Sequence, residues 1–169
     1  MNLVTSEMRK TMFAGMNFLQ IRDYLEAQGW NRHMPIELDS TEVALLTPKG
    51  EIILQVRSQN EGIGLWGGSI EYGETPIEGA IREVFEETGL RLEARELEYV
   101  ERKKHFHCYP NGDQAIFTAY RYVVKMSNLP EIKLTDGESV GYIICKEIPK
   151  ELLEEEREFV EKLLMKTVY

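Results

Sequence analysis

Three glutamates, Glu83, Glu86 and Glu87, follow a glycine pair, Gly67 and Gly68, in the stretch GGSIEYGETPIEGAIREVFEETGL that runs from residue 67 to residue 90. On a helix the three are related as i, i+3 and i+4 and fall within an arc of roughly 100°. Like charges at that spacing repel, weakly in water and more strongly where the patch loses solvent. A hard divalent cation reverses the sign, and Mg²⁺, which takes oxygen ligands and keeps several waters, suits an open carboxylate cluster. Gly67, Gly68 and Gly73 let backbone N–H groups come close to an anion. Arg82 sits where it can orient one of the glutamates or meet a phosphate. A lone run of glutamates is ordinarily a solvated helix face. Joined to a glycine loop and an arginine, it has the parts that metal-dependent attack on a phosphate ester requires.

The elements that must position these groups can be read outward from the same stretch. Thr75 is a good N-cap, Pro76 suits the first helical position, Glu78 completes a capping box and Gly89 supplies a left-handed stop. The spacing therefore predicts a helix from Pro76 to Thr88. Its apolar face holds Ile77, Ala80, Ile81, Val84 and Thr88, with Phe85 at the edge, and the glutamates lie on the other side. Upstream, EVALLT and EIILQVR across PKG predict a β-hairpin, and 96–108 and 114–125 across PNGD predict a second. A short strand is expected at about 140–145 and an amphipathic helix at the C-terminal end, with Leu152, Leu153, Phe159, Val160, Leu163 and Leu164 buried and its acidic run solvated. Before the domain, Phe18, Ile21, Tyr24 and Leu25 mark an amphipathic helix over about 17–28 and NRHMPIELDS reads as a polar link. Residues 1–12 carry no period and are expected to be partly disordered.

Composition narrows the function. A chain of 169 residues, 43% hydrophobic, suits one domain with a full core. Twenty basic against twenty-nine acidic residues, a net charge of -9, oppose binding to a long nucleic acid. Cys108 and Cys145 are too few for a disulfide framework and are expected to be buried thiols in a reducing cytoplasm. No apolar run is long enough to span a bilayer, so no membrane partner is expected. His105 and His107 alternate on one strand face ahead of Cys108, without the further ligand that a metal site needs.

Gly68, five residues, Glu74, seven residues, Arg82-Glu83-Val84, Phe85, Glu86-Glu87, Thr88, Gly89-Leu90 resembles a complete Nudix box, the signature of the Nudix hydrolase family. A chance match in a chain of this length is on the order of one in ten million or rarer. The resemblance implies an α/β class fold, an α/β/α sandwich with a mixed β-sheet; residues 1–40 match nothing in it, so the N-terminal helix read from the spacing is extra. The domain would occupy 41–169, and 1–40 would form an extension whose amphipathic helix packs on it. It also implies hydrolysis of a nucleoside diphosphate linked to another moiety with Mg²⁺, or Mn²⁺, as cofactor. Glu83, Glu86 and Glu87 then resemble the family's metal ligands, Arg82 and Glu74 take supporting roles, and Gly67 and Gly68 resemble the loop that contacts metal or phosphate.

Two positions depart from the family's habit. Trp66 stands where proline is frequent, and either stacks on a base or fills the core beside Leu65; Gly79 stands where alanine is common. The general base comes from outside the box, and LTDGESVGYI resembles the segment that supplies it, with Glu138 the first candidate and Asp136 the second. The expected activity is that of a cytoplasmic pyrophosphohydrolase acting on a small nucleotide-type substrate, with room for a homodimer. One rival is a Nudix-fold sensor that binds nucleotide without cleaving it. Another is an isomerase on the same fold, with Cys108 or Cys145 in its site. The box fixes the diphosphate chemistry and leaves the substrate to other loops.

Overall fold

The computed structural model describes residues 1–58 and 61–166. Its central strand is β1 (Ile36–Leu46). In the second half of β1, Val43 and Leu45 enter one core and Ala44 and Leu46 the other, which explains why this part of the sequence is apolar at every position. β1 runs parallel to β5 (Gln114–Lys125) over its whole length, from Ile36↔Ala115 to Leu46↔Lys125. β5 in turn forms an antiparallel hairpin with β4 (Glu98–Cys108). The sheet is therefore mixed.

On its other edge β1 meets β2 (Ile52–Arg57) in the expected hairpin, at Leu45↔Ile53 and Leu46↔Ile52. β6 (Ser139–Cys145) pairs with β2 along its length, from Ile52↔Cys145 to Arg57↔Ser139, and beyond the β1 pairs the two residues of β3 (Ile63–Gly64) take the remaining edge of β2. The chain after β3 closes the edge that β1 leaves open: Trp66 bridges Val43 and Ser69 bridges Ser40. The segment from Leu65 to Ser69 is thus held by backbone hydrogen bonds against the middle of the sheet.

One helix covers each face. From α3 (Pro76–Thr88), Ala80 and Val84 pack with Val43, Leu45, Ile53, Trp66, Tyr122 and Val124. From α4 (Glu154–Lys166), Phe159, Val160 and Leu163 pack with Ala44, Leu46, Ile52, Leu54 and Val123. The result is the expected α/β/α sandwich. Among the described residues no helix is long and apolar enough to cross a membrane.

The N-terminal residues are more ordered than their sequence suggests. α1 (Ser6–Lys10) and α2 (Phe18–Ala27) bury Val4, Phe13, Ile21 and Leu25 against Met34, Ile36, Leu38 and Ala115. Val4 pairs with the start of β1, taking a bond from the Glu37 amide at 2.8 Å and giving one to Pro35 O at 2.9 Å. A single bridging residue leaves no periodic signature, so the sequence could not reveal it. The polar link is likewise corrected from Ile36 onward, where the alternation I-E-L-D-S belongs to β1. Asn17 and Gln20 form a capping box at the start of α2. Arg22 of α2 is fully buried and donates to the carbonyls of Arg32, Met34 and Gln114, tying the extension to the turn between β4 and β5. The expectation of two buried thiols also fails: Cys108 is exposed at the end of β4, where no layer covers the strand, and Cys145 is half-buried.

Candidate active site

The helix that carries the glutamates is set as its sequence predicts. Thr75 and Glu78 close the capping box, and Gly89 ends the helix at φ 75°. The three glutamates, however, do not share one environment. Glu86 has half of its side chain in solvent, Glu83 is 15% exposed, and Glu87 is 1% exposed. Placing Glu87 on the solvated side is therefore corrected. It follows Ala80 and Val84 at i+7 and i+3, so it prolongs the apolar stripe of α3 and points between the helix and the Leu65–Ser69 segment. There Oε2 accepts a 2.8 Å hydrogen bond from the Gly67 amide. Burial pushes the Glu87 carboxyl up to about 8, with Glu83 and Asp136 adding to the rise and the Gly67 N–H and Arg57 opposing it. Burial also raises Glu83, against the pull of Arg82.

Arg82 organises the acidic groups around it. Its guanidinium makes five hydrogen bonds: to Glu74 at 2.6 and 3.0 Å, Glu83 at 2.8 Å, Glu86 at 3.1 Å and the Ser69 carbonyl at 2.9 Å. These bonds hold its pKa well above the ordinary arginine value. Of the two roles open to it, the arrangement is that of an orienting group with its donors already engaged. Glu74 grips Arg82 and accepts from the Glu71 amide at 2.8 Å. It does not line the cavity described below, so its placement is that of a support and not of a substrate contact.

Gly67 and Gly68 are required by close approach. Gly67 has φ 141°, and a Cβ there would lie 2.0 Å from the Thr41 carbonyl oxygen. At Gly68 a Cβ would lie within 2.8 Å of all three carboxyl atoms of Glu83. The neighbouring Trp66 is fully buried in the core under α3, and its indole N–H donates to Ile53 O at 2.9 Å. Of the two readings of this residue the structure takes the core one, and the placement of Trp66 as a base-stacking contact is corrected: the wedge between β1 and β2 needs a large apolar filler.

The segment after β5 brings further carboxylates to Glu87. The Lys133 amide donates to Thr88 O at 2.9 Å and the Thr135 hydroxyl to Glu86 O at 2.7 Å, which secures it to the C-terminal end of α3. Glu138 O then accepts from the Ser58 amide at 2.8 Å. As a result Glu87, Asp136 and Glu138 each offer a carboxylate oxygen, all within 4.8 Å of one another. The tightest acidic grouping thus joins one box glutamate to the two candidates for the base, where the sequence pointed to Glu83, Glu86 and Glu87 alone. Every donor is a hard oxygen, the set that a Mg²⁺-like ion prefers.

A cavity of about 900 Å³ opens beside these groups, lined by Gly67, Gly68, Glu83, Glu87 and Glu138. Glu74, Arg82, Glu86 and Asp136 do not line it. Its far walls bring in residues that the sequence reading missed. Glu156 of α4 is 2% exposed and accepts from the Leu65 amide at 2.7 Å, while Gln55 donates to Leu65 O at 2.6 Å. Burial, together with Glu42, raises the Glu156 carboxyl. A signal was present: Glu156 stands at i, with Phe159, Val160 and Leu163 at i+3, i+4 and i+7, an acid on the apolar stripe and not on the solvated face. His105 and His107 line the cavity too.

Comparison with known proteins identifies the family and the fold. The family model described as the NUDIX domain matches residues 38–163. A MutT-like protein of Streptomyces ambofaciens is 34% identical over an 85-residue alignment that covers 46% of this chain and 55% of that protein. The chain therefore spans little more than half the length of this curated relative. Among solved structures, a MutT NUDIX hydrolase from Burkholderia pseudomallei is similar with a TM-score of 0.60 at 22% identity, covering 74% of this chain and 96% of that one. A bifunctional NMN adenylyltransferase/ADP ribose pyrophosphatase from Francisella tularensis, complexed with AMP and a manganese ion, is similar with a TM-score of 0.54 at 21% identity, covering 78% and 42%. At these identities the likeness is one of fold.

Proposed function

The chain belongs to the NUDIX domain family, and from that premise we propose that it is a divalent-metal-dependent pyrophosphohydrolase that cleaves a nucleoside diphosphate linked to another moiety. A nucleoside triphosphate, a nucleotide sugar or a similar small metabolite of the cytoplasm fits this description. The observation that carries the reading is the burial of Glu87 beside Asp136, Glu138 and the Gly67 amide, its carboxylate bonded to that amide. Such a site is unfavourable for an ionised carboxylate and becomes favourable when a dication enters.

Glu83, Glu86 and Glu87 would hold the ion, Mg²⁺ with Mn²⁺ as a substitute, Glu83 and Glu87 from the cavity wall and Glu86 from its solvent side. When bound, it neutralises charge on the phosphoryl oxygens and lowers the pKa of a coordinated water. Glu138, on the cavity wall, accepts the proton of the attacking water as general base, with Asp136 beside it as the second candidate. The backbone at Gly67 and Gly68 lies close to the phosphates because no side chain stands between. Arg82 keeps Glu83 and Glu86 in place, with Glu74 as its anchor.

A sensor that binds nucleotide without cleaving it would not need this set of carboxylates, whose mutual repulsion is a cost without a metal. Phosphate release from a panel of nucleotides, nucleotide sugars and dinucleoside polyphosphates tests the proposal. Turnover is expected with Mg²⁺ or Mn²⁺, little with Ca²⁺ and none in excess chelator. Full turnover in chelator, or binding without turnover across the panel, would overturn it.

A further inference from the structure

We propose that the cavity contains a nucleobase subsite on the strand pair β4–β5, a wall of His105, His107, Tyr109 and Phe117 on which a planar heteroaromatic base stacks. The proposal rests on the hydrolase reading for the placement of the phosphates at the carboxylate end. All four residues line the same cavity as Gly68, Glu83, Glu87 and Glu138. A single ligand can therefore meet both ends.

Register and ring geometry make the wall. His105 lies opposite Phe117 and His107 opposite Ala115, so both histidines project on the face that carries Phe117. The His105 and Phe117 rings stack at 5.2 Å with 21° between their planes, and the Tyr109 ring meets His107 edge-on at 4.5 Å. Tyr109 is backed by Phe18 of the N-terminal extension at 5.9 Å. Arg22 and its bond to Gln114 O hold the base of the same hairpin. The wall is thus built before any ligand arrives, which lowers the entropy lost on binding.

Of the unpaired polar atoms in the same cavity, one belongs to the ring wall and two to residues nearer the carboxylate end. Nδ1 of His105, Oγ1 of Thr41 and Nε of Arg57 are buried without a hydrogen-bond partner among the described residues, and all three side chains belong to residues lining the cavity. Buried polar atoms are ordinarily paired, so three unpaired ones in one cavity await donors and acceptors from outside the chain. A base offers a π-face to stack and ring nitrogens and exocyclic groups to bond. The volume of about 900 Å³ is that of a site for a nucleotide with an attached group. Trp66 borders the cavity but is fully buried, so among the described residues these rings are its accessible aromatic surface.

The test uses the full, metal-free chain and the nucleosides adenosine, guanosine, cytidine and uridine, which carry no phosphate. Carbon-edited NMR follows the ring Cε1–H signals of His105 and His107 as each nucleoside is added to millimolar concentration. At least one nucleoside should move both signals. His107→Ala, at an exposed strand end, should weaken that nucleoside's binding about tenfold or more. With base-bearing substrate it should raise KM by a similar factor, with the larger share of the loss in KM and not in kcat. Glu87→Gln should remove turnover and leave the nucleoside shifts in place. If no nucleoside moves either histidine, or if His107→Ala leaves the Kd unchanged, the subsite does not exist. Nucleoside binding at the wall without turnover of any substrate would leave the subsite standing and remove the hydrolase reading instead.

Discussion

The Gly67 amide donates a 2.8 Å hydrogen bond to Oε2 of Glu87, so a buried carboxylate at the end of α3 fixes the loop that closes the edge of β1. From the opposite helix, Glu156 holds the Leu65 amide two residues earlier. Two acids from the two outer layers thus grip one loop from both sides of the sheet. The loop's position is therefore coupled to the ionisation of groups that water would otherwise solvate.

Glu87→Gln should abolish catalysis and stabilise the metal-free protein at alkaline pH. The sign follows from the raised pKa. Between about 4.5, the ordinary value, and about 8 the folded protein keeps a proton that the unfolded chain has released. Metal-free wild type therefore loses stability as pH rises through that window. Glutamine carries no such proton and still accepts from the Gly67 amide. Thermal melts in chelator should show the variant equal to wild type near pH 5 and more stable at pH 8, with a weaker decline remaining from Glu156. With Mg²⁺ the order reverses, because the wild type gains more from the ion. Loss of metal placement should lower kcat about a thousandfold or more. A variant that keeps wild-type kcat, or melts in parallel with wild type from pH 5 to 8, would contradict the assignment.

Alanine at the two adjacent glycines should have different consequences. Gly67→Ala forces a Cβ against a backbone carbonyl at a positive φ, and neither can move without breaking the Trp66 and Ser69 bridges. A loss of stability of about 3 kcal/mol or more is expected, read as a lower denaturation midpoint. Gly68→Ala meets first the carboxyl end of Glu83, a side chain that can swing aside. That variant should melt within a few degrees of wild type and lose most of its turnover. Equal stability of the two variants would show that the loop is not wedged as described.

Glu138 and Asp136 can be separated by neutral replacements. Both stand within 4.8 Å of Glu87, but only Glu138 lines the cavity. Glu138→Gln should lower kcat about a hundredfold to a thousandfold, the usual contribution of a general base. Asp136→Asn should stay within about tenfold of wild type. Both side chains are exposed, so neither change should alter the melting temperature by more than a few degrees. Rates that rank the two the other way would make Asp136 the base.

Local chemistry determined where α3 begins and ends. Thr75, Pro76, Glu78 and Gly89 specify its ends from within the helix, and the spacing of Arg82, Glu83, Glu86 and Glu87 carries the family signature, because capping and periodicity depend on near neighbours alone. Both hairpins and α4 were legible for the same reason. What the tertiary structure decided is which charges are buried. Glu87 and Glu156 each extend an apolar stripe, yet whether an acid there faces solvent depends on what packs against it, and that is a loop from elsewhere in the chain. Val4 gave no signal because one residue bridging an edge has no period. Trp66 was open between core and cavity until the pairing of Val43 with residue 66 turned it inward. His105 and His107 could be placed on one strand face from alternation alone. Only the parallel pairing of β1 with β5, between residues about eighty positions apart, brought that face to the same cavity as the glutamates of α3.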